Sequence, residues 1–262
     1  MNEYKIVFLD IDGTIFRPDH TIEPSTKNAI SQLQAKGIEV ILATGRPLHE
    51  IDELAKELSI SSFIAYNGAY GIYKNEEIVK ETMNEHDVDK YLKIADNQEH
   101  TLVFYTHEMN AFTTMEPPIV KKFISTFDLR KNTIFEPSLK NDVLGLTLIT
   151  NEENAQVHYE EFKEIHYTTV NVTGLTTCLD VIRDRVNKGM AVEAFIKKLG
   201  ISRESTIAFG DGMNDKEMLS TVGEGFAMGN AHPDLLQYAK HKTTDVEHSG
   251  IYNGLKSLGL VE

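Results

Sequence analysis

The sequence predicts an α/β fold: a parallel sheet with helices on both faces, interrupted by an inserted α+β unit. Three observations carry that expectation. Short apolar runs alternate with helix-period segments from the first residues onward. The early runs are continuous rather than alternating, as in strands buried on both sides. The rhythm then changes after about residue 82 and resumes at Lys188.

In order along the chain, Ile6-Val7-Phe8-Leu9 is a buried first strand, broken by Gly13. "PSTKNAISQLQAKG" has a polar start, Ile30 and Leu33 three apart, and Gly37 as a stop, so it is a helix. "IEVILATG" is a second apolar strand. "RPLHEIDELAKELSI" carries Pro47 at a first-turn position and Leu48, Ile51, Leu54 and Leu58 at helical spacing. "SFIAYNGAYGIY" runs through Asn67-Gly68 into a hairpin. Between 83 and 183 come helical "DVDKYLKIADN", strand-like "TLVFYTH" and "AFTTM", helical "PIVKKFISTF", strand-like "VLGLTLIT", a helical stretch over about 152–164, and strands "YTTVNVT" and "CLDVIRD". After Lys188 follow helix "GMAVEAFIKKLG", strand "STIAFG", helix "DKEMLSTV", strand "GFAMG", helix "PDLLQYAK" and helical "YNGLKSLGL". Residues 1–82 and 184–262 are thus expected to form one core, with 83–183 inserted between its halves.

Composition narrows the function. The formal net charge of −14 comes from acids spread along the chain, which disfavours nucleic acid and anionic membrane as partners. The single cysteine, Cys178, sits in a strand-like segment and is expected to be a buried small hydrophobe in a reducing compartment. The first strand starts almost at Met1, leaving no room for a signal peptide, and no apolar run approaches membrane-spanning length. A cytoplasmic protein is expected.

Four short motifs fall where a strand ends or a helix begins: Asp10-Ile11-Asp12-Gly13-Thr14, Thr44-Gly45-Arg46, Asn187-Lys188-Gly189 and Gly210-Asp211-Gly212-Met213-Asn214-Asp215. A parallel sheet brings such positions to one edge, where ligands bind in open α/β folds. Asp10, Asp12 and Asp211 together are costly, each close pair repelling by roughly 4 kcal/mol at 4 Å under an effective dielectric near 20. A cation removes that cost, and an all-oxygen set without His or Cys suits Mg²⁺. With a metal present, the Thr44 hydroxyl, the Lys188 charge, the Asn214 amide and glycine-rich backbone fit a phosphate. A carboxylate beside it can attack phosphorus.

In this order, "DIDGT", "ATGR", "NKG" and "GDGMND" resemble the four motifs of the haloacid dehalogenase (HAD) superfamily of phosphohydrolases. The insertion after the second motif is similar to the α/β C2-class cap of its Cof-type group. The resemblance spans essentially the whole chain, with the first and fourth motifs specific together. It implies a Rossmann-like core with a cap at 83–183, and a Mg²⁺-dependent phosphatase acting through an aspartyl-phosphate on small phosphorylated metabolites such as sugar phosphates or pyridoxal phosphate. It also implies that Asp10 is nucleophile and metal ligand, and that Asp12 is general acid/base and lends its carbonyl to the metal. Asp211 is implied as a further ligand, and Asp215 as support for the metal shell. Ile11, Thr44, Gly45, Lys188 and Asn214 are implied to hold the phosphoryl oxygens.

Competing readings exist for several of these residues. A calcium loop fails, because the sixth residue from Asp10 is Ile15 rather than glycine, and the third from Asp211 is Met213. "GEGFAMG" has one residue too many for a dinucleotide fingerprint. Thr44 alone is equally a helix cap. Arg46 has two readings, a substrate contact or a pair with an acid, and the sequence does not choose. His232, before Pro233, belongs to a helix start. A phosphomutase and a non-catalytic phosphometabolite sensor remain the alternatives to a phosphatase. The sensor is disfavoured because a pure binder needs no Asp12 two residues after Asp10.

Overall fold

A computed structural model describes residues 4–262. The chain divides into two compact units, one of Met1–Arg46, Asp52–Val79 and Asn187–Glu262, the other of Pro47–Ile51 and Lys80–Val186.

The first unit contains β1 (Ile6–Leu9), α1 (Pro24–Ala35), β2 (Glu39–Ala43), α2 (Asp52–Glu57), β3 (Phe63–Ala65), β4 (Tyr70–Tyr73) and most of β5 (Glu76–Lys80). The sheet is ordered β14-β13-β12-β1-β2-β3-β4-β5, so the chain's return supplies the strands on the far side of β1: β12 (Thr206–Gly210), β13 (Glu224–Ala227) and β14 (His241–Lys242). β1 is central, pairing in parallel with β12 (Ile6↔Thr206) and β2 (Ile6↔Glu39). All four β1 residues are buried, as a two-sided strand requires. β4 reverses and pairs antiparallel with β3 through the Asn67-Gly68 turn, where Tyr66 and Asn67 have φ of 52° and 53°.

Helices cover both faces. On one, Val192 and Phe195 of α5 (Lys188–Leu199) and Met218 and Leu219 of α6 (Lys216–Thr221) pack with Phe8, Ile41 and Ala208. On the other, α1 lies beside α7 (Gly250–Ser257). Gly254 lets α7 approach the stacked Phe209 and Phe226 rings: a Cβ there would stand 2.5 Å from Phe209 Cε1.

The second unit has a six-stranded sheet, β10-β11-β9-β6-β7-β8. Its elements are α3 (Glu85–Asn97), β6 (Thr101–Tyr105), β7 (Asn110–Phe112), α4 (Pro118–Thr126), β8 (Asn132–Ile134), β9 (Gly145–Ile149), β10 (Ile165–Thr169) and β11 (Leu179–Arg183). α3 packs Val88, Tyr91 and Ala95 on the face of Leu102, Phe104 and Leu148. α4 packs Val120 and Phe123 on the opposite face, against Val103, Phe112 and Ile149. Cys178 is fully buried, and burial pushes its thiol pKa up, as suits a small hydrophobe.

Three expected helices differ. The stretch over 152–164 forms only a 3₁₀ segment, Ala155–Tyr159, with Asn154 and Glu164 left-handed on either side. Its apolar residues mimic a helical stripe, but Tyr159 and Phe162 instead stack their rings on Tyr91. "PDLLQYAK" is a 3₁₀ segment, Pro233–Tyr238, entered through His232, whose ring accepts from the Asp234 N–H. "RPLHEIDELAKELSI" splits into a 3₁₀ turn at Leu48–Glu50 and a short α2. The edge strands β8 and β14 carry no clear strand signal because they are only three and two residues long.

Candidate active site

The β1 and β12 ends lie side by side, so Asp10 and Asp211 leave adjacent parallel strands. After Asp10 the chain turns at once, the Ile11 carbonyl accepting from the N–H groups of Thr14, Ile15 and Phe16 at 3.3, 2.9 and 2.7 Å. Gly13 has φ +80°, and a Cβ there would lie 2.2 Å from Asp211 Oδ2. Glycine therefore allows both the turn and the close approach of the two loops. Thr14 Oγ1 donates to Asp211 Oδ1 at 3.1 Å.

Lys188 enters as the first residue of α5, capped by the Asn187 side chain, which accepts from the Met190 N–H. Its side chain is fully buried, and Nζ donates to Asp10 Oδ1 and Asp215 Oδ1, each at 2.6 Å. Asp215 is fixed in turn by the N–H groups of Asp211 and Gly212, each donating to Oδ2 at 3.0 Å. A Cβ on Gly210 would meet Asp215 Cγ at 2.5 Å, so this packing also demands glycine.

Asp10, Asp211 and Asp215 present carboxylate oxygens within 4.8 Å of one another. Burial, then the charge of Asp215, holds the Asp10 carboxyl well above the usual carboxylate range, with Lys188 opposing. The same two causes push Asp211 up to about 6. Burial alone would depress the Lys188 ammonium, but Asp10 and Asp215 outweigh it and raise its pKa. Two of the three carboxylates bond the one buried cation, the third lies within reach of them, and the fold resists ionising all three together. That all-oxygen, charge-rich set fits a hard divalent ion.

Asp12 stands apart from this cluster. Its carboxylate is exposed and takes a bidentate grip from Arg46, Nε to Oδ2 at 2.7 Å and an Nη to Oδ1 at 2.6 Å. The guanidinium also lies 5.7 Å from the Phe16 ring centroid. Of the two readings of Arg46, the structure shows the acid pair. Thr44 is buried, and its hydroxyl accepts from the Arg46 N–H at 3.0 Å, leaving its own proton to donate. Asn214 donates to Asn67 Oδ1 at 3.0 Å, and a Cβ on Gly45 would also lie 3.0 Å from that oxygen. Ile11 is fully buried beside Asp10.

A family model described as haloacid dehalogenase-like hydrolase matches residues 7–255. The chain belongs to this family. It is 32% identical to YkrA of Bacillus subtilis (strain 168), provisionally named a phosphatase, over 98% of this chain and 99% of that one. It is 27% identical to the HMP-PP phosphatase of Shigella flexneri serotype 5b (strain 8401), over 90% of this chain and 88% of that one. Among solved structures, a Geobacillus kaustophilus HTA426 protein superposes with TM-score 0.90 at 30% identity, covering 98% of this chain and 100% of that one. The HAD subclass IIB sugar phosphatase BT4131 superposes with TM-score 0.80 at 26% identity, over 98% and 100% of the two chains. As a HAD-family enzyme, the chain is a phosphoric monoester hydrolase.

Two HAD-core contacts escaped the sequence reading. Asn230, just past β13, donates to the Gly13 carbonyl at 2.8 Å and accepts from the Val246 N–H at 2.9 Å, tying three loops together. Its signal was the Gly229-Asn230 break at the end of another parallel strand. Thr14, inside the first motif, holds Asp211.

Proposed function

We propose that the chain is a Mg²⁺-dependent phosphatase of small phosphorylated metabolites, sugar phosphates foremost, working through an aspartyl-phosphate on Asp10. The observation that carries this reading is the buried Lys188 ammonium joining Asp10 to Asp215 beside Asp211. A structural ion pair needs one carboxylate per lysine, and here three crowd one cation at the mouth of a parallel sheet.

In this reading Asp10, Asp211 and Asp215 hold the metal, with the Asp12 carbonyl. When bound, Mg²⁺ would neutralise charge on the transferring phosphoryl oxygens. Lys188, Thr44, Asn214 and the backbone at Ile11 and Gly45 orient those oxygens. Asp10 attacks phosphorus as the P–O bond to the alcohol breaks, and Asp12 gives its proton to the leaving oxygen. Water then attacks phosphorus, Asp12 takes its proton, and the Asp10–phosphorus bond breaks to release phosphate. Lys188 donates to Asp10 Oδ1, which favours the ionised carboxylate and leaves the other oxygen to react. Residues 83–183 are the cap that selects substrate, and the working compartment is the cytoplasm.

Turnover in ¹⁸O-labelled water tests the reading. Phosphate should leave with one solvent oxygen per turnover, and Asp10→Asn should be inactive with its fold intact. Isomerisation of a sugar phosphate without phosphate release would instead identify a mutase. Binding without turnover would identify a sensor.

A further inference from the structure

The second unit gathers two histidines and a glutamate that the phosphatase reading does not use. Three segments meet at one end of its sheet. The pairing sets Thr101 opposite Ile149, so His100, just before β6, and Thr150, just after β9, leave the sheet side by side. The Thr150 hydroxyl accepts from the Glu152 N–H at 3.0 Å, which fixes the turn that carries Glu152. The 3₁₀ segment Ala155–Tyr159 then brings His158 and Tyr159 back to the same place.

Glu152 is gripped on both oxygens. His100 Nε2 lies 2.8 Å from Oε2, and His158 Nε2 lies 2.7 Å from Oε1. His158 first, and then His100, hold the Glu152 carboxyl below the usual range, so it is ionised at neutral pH. Both rings therefore turn Nε2 toward one carboxylate from two different segments. His100 is buried, and its Nδ1 meets the Tyr159 hydroxyl at 3.0 Å. Tyr159 is locked in turn by stacking on Tyr91. A hydroxyl both donates and accepts, so it keeps His100 in place whichever ring nitrogen carries the proton. An imidazole fixed at its far nitrogen, with its near nitrogen facing a carboxylate, has the outer-shell support that metal-ligating histidines have.

We propose that His100 Nε2, His158 Nε2 and a Glu152 oxygen form a site for a divalent transition ion of the Zn²⁺ type. Two imidazoles with one carboxylate suit Zn²⁺, whereas Mg²⁺ takes all-oxygen sets such as the Asp10 cluster. The two nitrogens now sit on opposite oxygens, so binding draws the half-buried His158 and the exposed Glu152 toward the fixed His100. Three protein ligands leave the fourth tetrahedral position to water. The ion staples the 3₁₀ segment to the ends of β6 and β9. The site lies within the second unit and does not rest on the phosphatase reading.

The test uses the full chain without a histidine tag, stripped of metal and then saturated with Mg²⁺ to fill the Asp10 cluster. Zn²⁺ is titrated in by calorimetry, with thermal melting in parallel. One Zn²⁺ per chain should bind in the micromolar range or tighter and raise the melting temperature by mass action. His158→Ala and Glu152→Gln change side chains that solvent reaches, and circular dichroism checks that both fold. Each should weaken Zn²⁺ binding by about tenfold or more, at least the loss seen on removing an outer-shell partner. Each should also flatten the Zn²⁺-dependent rise in melting temperature. Asp10→Asn should leave the Zn²⁺ isotherm unchanged, which separates this site from the cluster in the first unit. The proposal is overturned if wild type binds no Zn²⁺ with Mg²⁺ present, or if both folded variants keep the wild-type isotherm. It is overturned equally if His158→Ala lowers the melting temperature by the same amount with and without Zn²⁺, because the three side chains are then a hydrogen-bonded latch and nothing more.

Discussion

Two ion pairs at one sheet edge have the same 2.6 Å separation and opposite surroundings. Lys188–Asp10 is almost fully buried, with side-chain exposures of 0% and 8%, whereas Arg46–Asp12 stands at 31% and 51%. Burial makes the first pair costly to break, because neither charge has water to fall back on. Exposure makes the second pair cheap to break, since water and salt replace either partner. The difference matches the work proposed for each acid. Asp10 needs one fixed orientation toward phosphorus, while Asp12 must exchange a proton, and its exposed pair leaves the carboxylate open to water and substrate.

The largest effect should come from Lys188→Met, which leaves Asp10 and Asp215 buried without their cation. Removing one partner of a buried pair typically costs about 3–5 kcal/mol. Urea melts without divalent ions at neutral pH should show a loss of that order, and phosphatase activity should vanish. A loss under about 1 kcal/mol would mean that the carboxylates accept neutralisation elsewhere, and the contrast between the two pairs would collapse.

Asp12→Ala should slow turnover of alkyl phosphates on the order of a hundredfold or more, the usual range for a general acid/base. An aryl ester, whose leaving group needs little protonation, should lose less. Equal losses on both substrates would place Asp12 in binding rather than proton transfer.

Asp211 gives the comparison a pH dependence. Its carboxyl rises from 3.8 to about 6 in the fold, so the folded protein binds that proton more tightly than the unfolded chain does. The associated stability is fully present below pH 3.8 and is lost as pH rises through about 6. Asp10 shifts in the same direction. Without divalent ions, this cluster should therefore lower the melting temperature between pH 5 and 7.5. Mg²⁺ should restore it at pH 7.5 and do much less at pH 5, where protons compete for the ligands. A Mg²⁺ effect that is the same at both pH values would remove the cluster as the metal site.

How far the sequence reached follows from how local each signal was. The parallel core was legible because its strands are continuous apolar runs and its acids follow them within one or two residues, as Asp10 follows Leu9 and Asp211 follows Gly210. Lys188 was legible as a helix start, but its joint grip on Asp10 and Asp215 was not, because it spans 178 and 27 residues. Arg46–Asp12 was one of two open readings because it depends on a side-chain choice across 34 residues. The hydrogen bonds by which Thr147 of β9 joins the Tyr105 hydroxyl of β6, at 2.8 Å, and Asp180 of β11, at 2.6 Å, had no signal at all, since only the register of three antiparallel strands creates them. The helix expected over 152–164 failed because apolar spacing cannot tell a continuous helix from rings docked one by one onto Tyr91.

The smallest effect belongs to Arg46→Ala. An exposed pair of this kind contributes about 0.2–1 kcal/mol, so the urea midpoint should barely move, and less still in high salt. Activity should separate from stability here. Arg46 holds both oxygens of Asp12, which fixes the plane of that carboxylate while its backbone follows the Ile11 turn. Without the guanidinium, Asp12 samples other rotamers, and the fraction aimed at the leaving oxygen falls. A several-fold drop in kcat for alkyl phosphates is expected, with little change for the aryl ester, and Arg46→Lys should recover only part of it because an ammonium cannot grip both oxygens in one plane. If Arg46→Ala instead raises KM for every phosphate ester and leaves the alkyl-to-aryl ratio untouched, Arg46 binds substrate. The pair with Asp12 would then be a resting contact that turnover breaks.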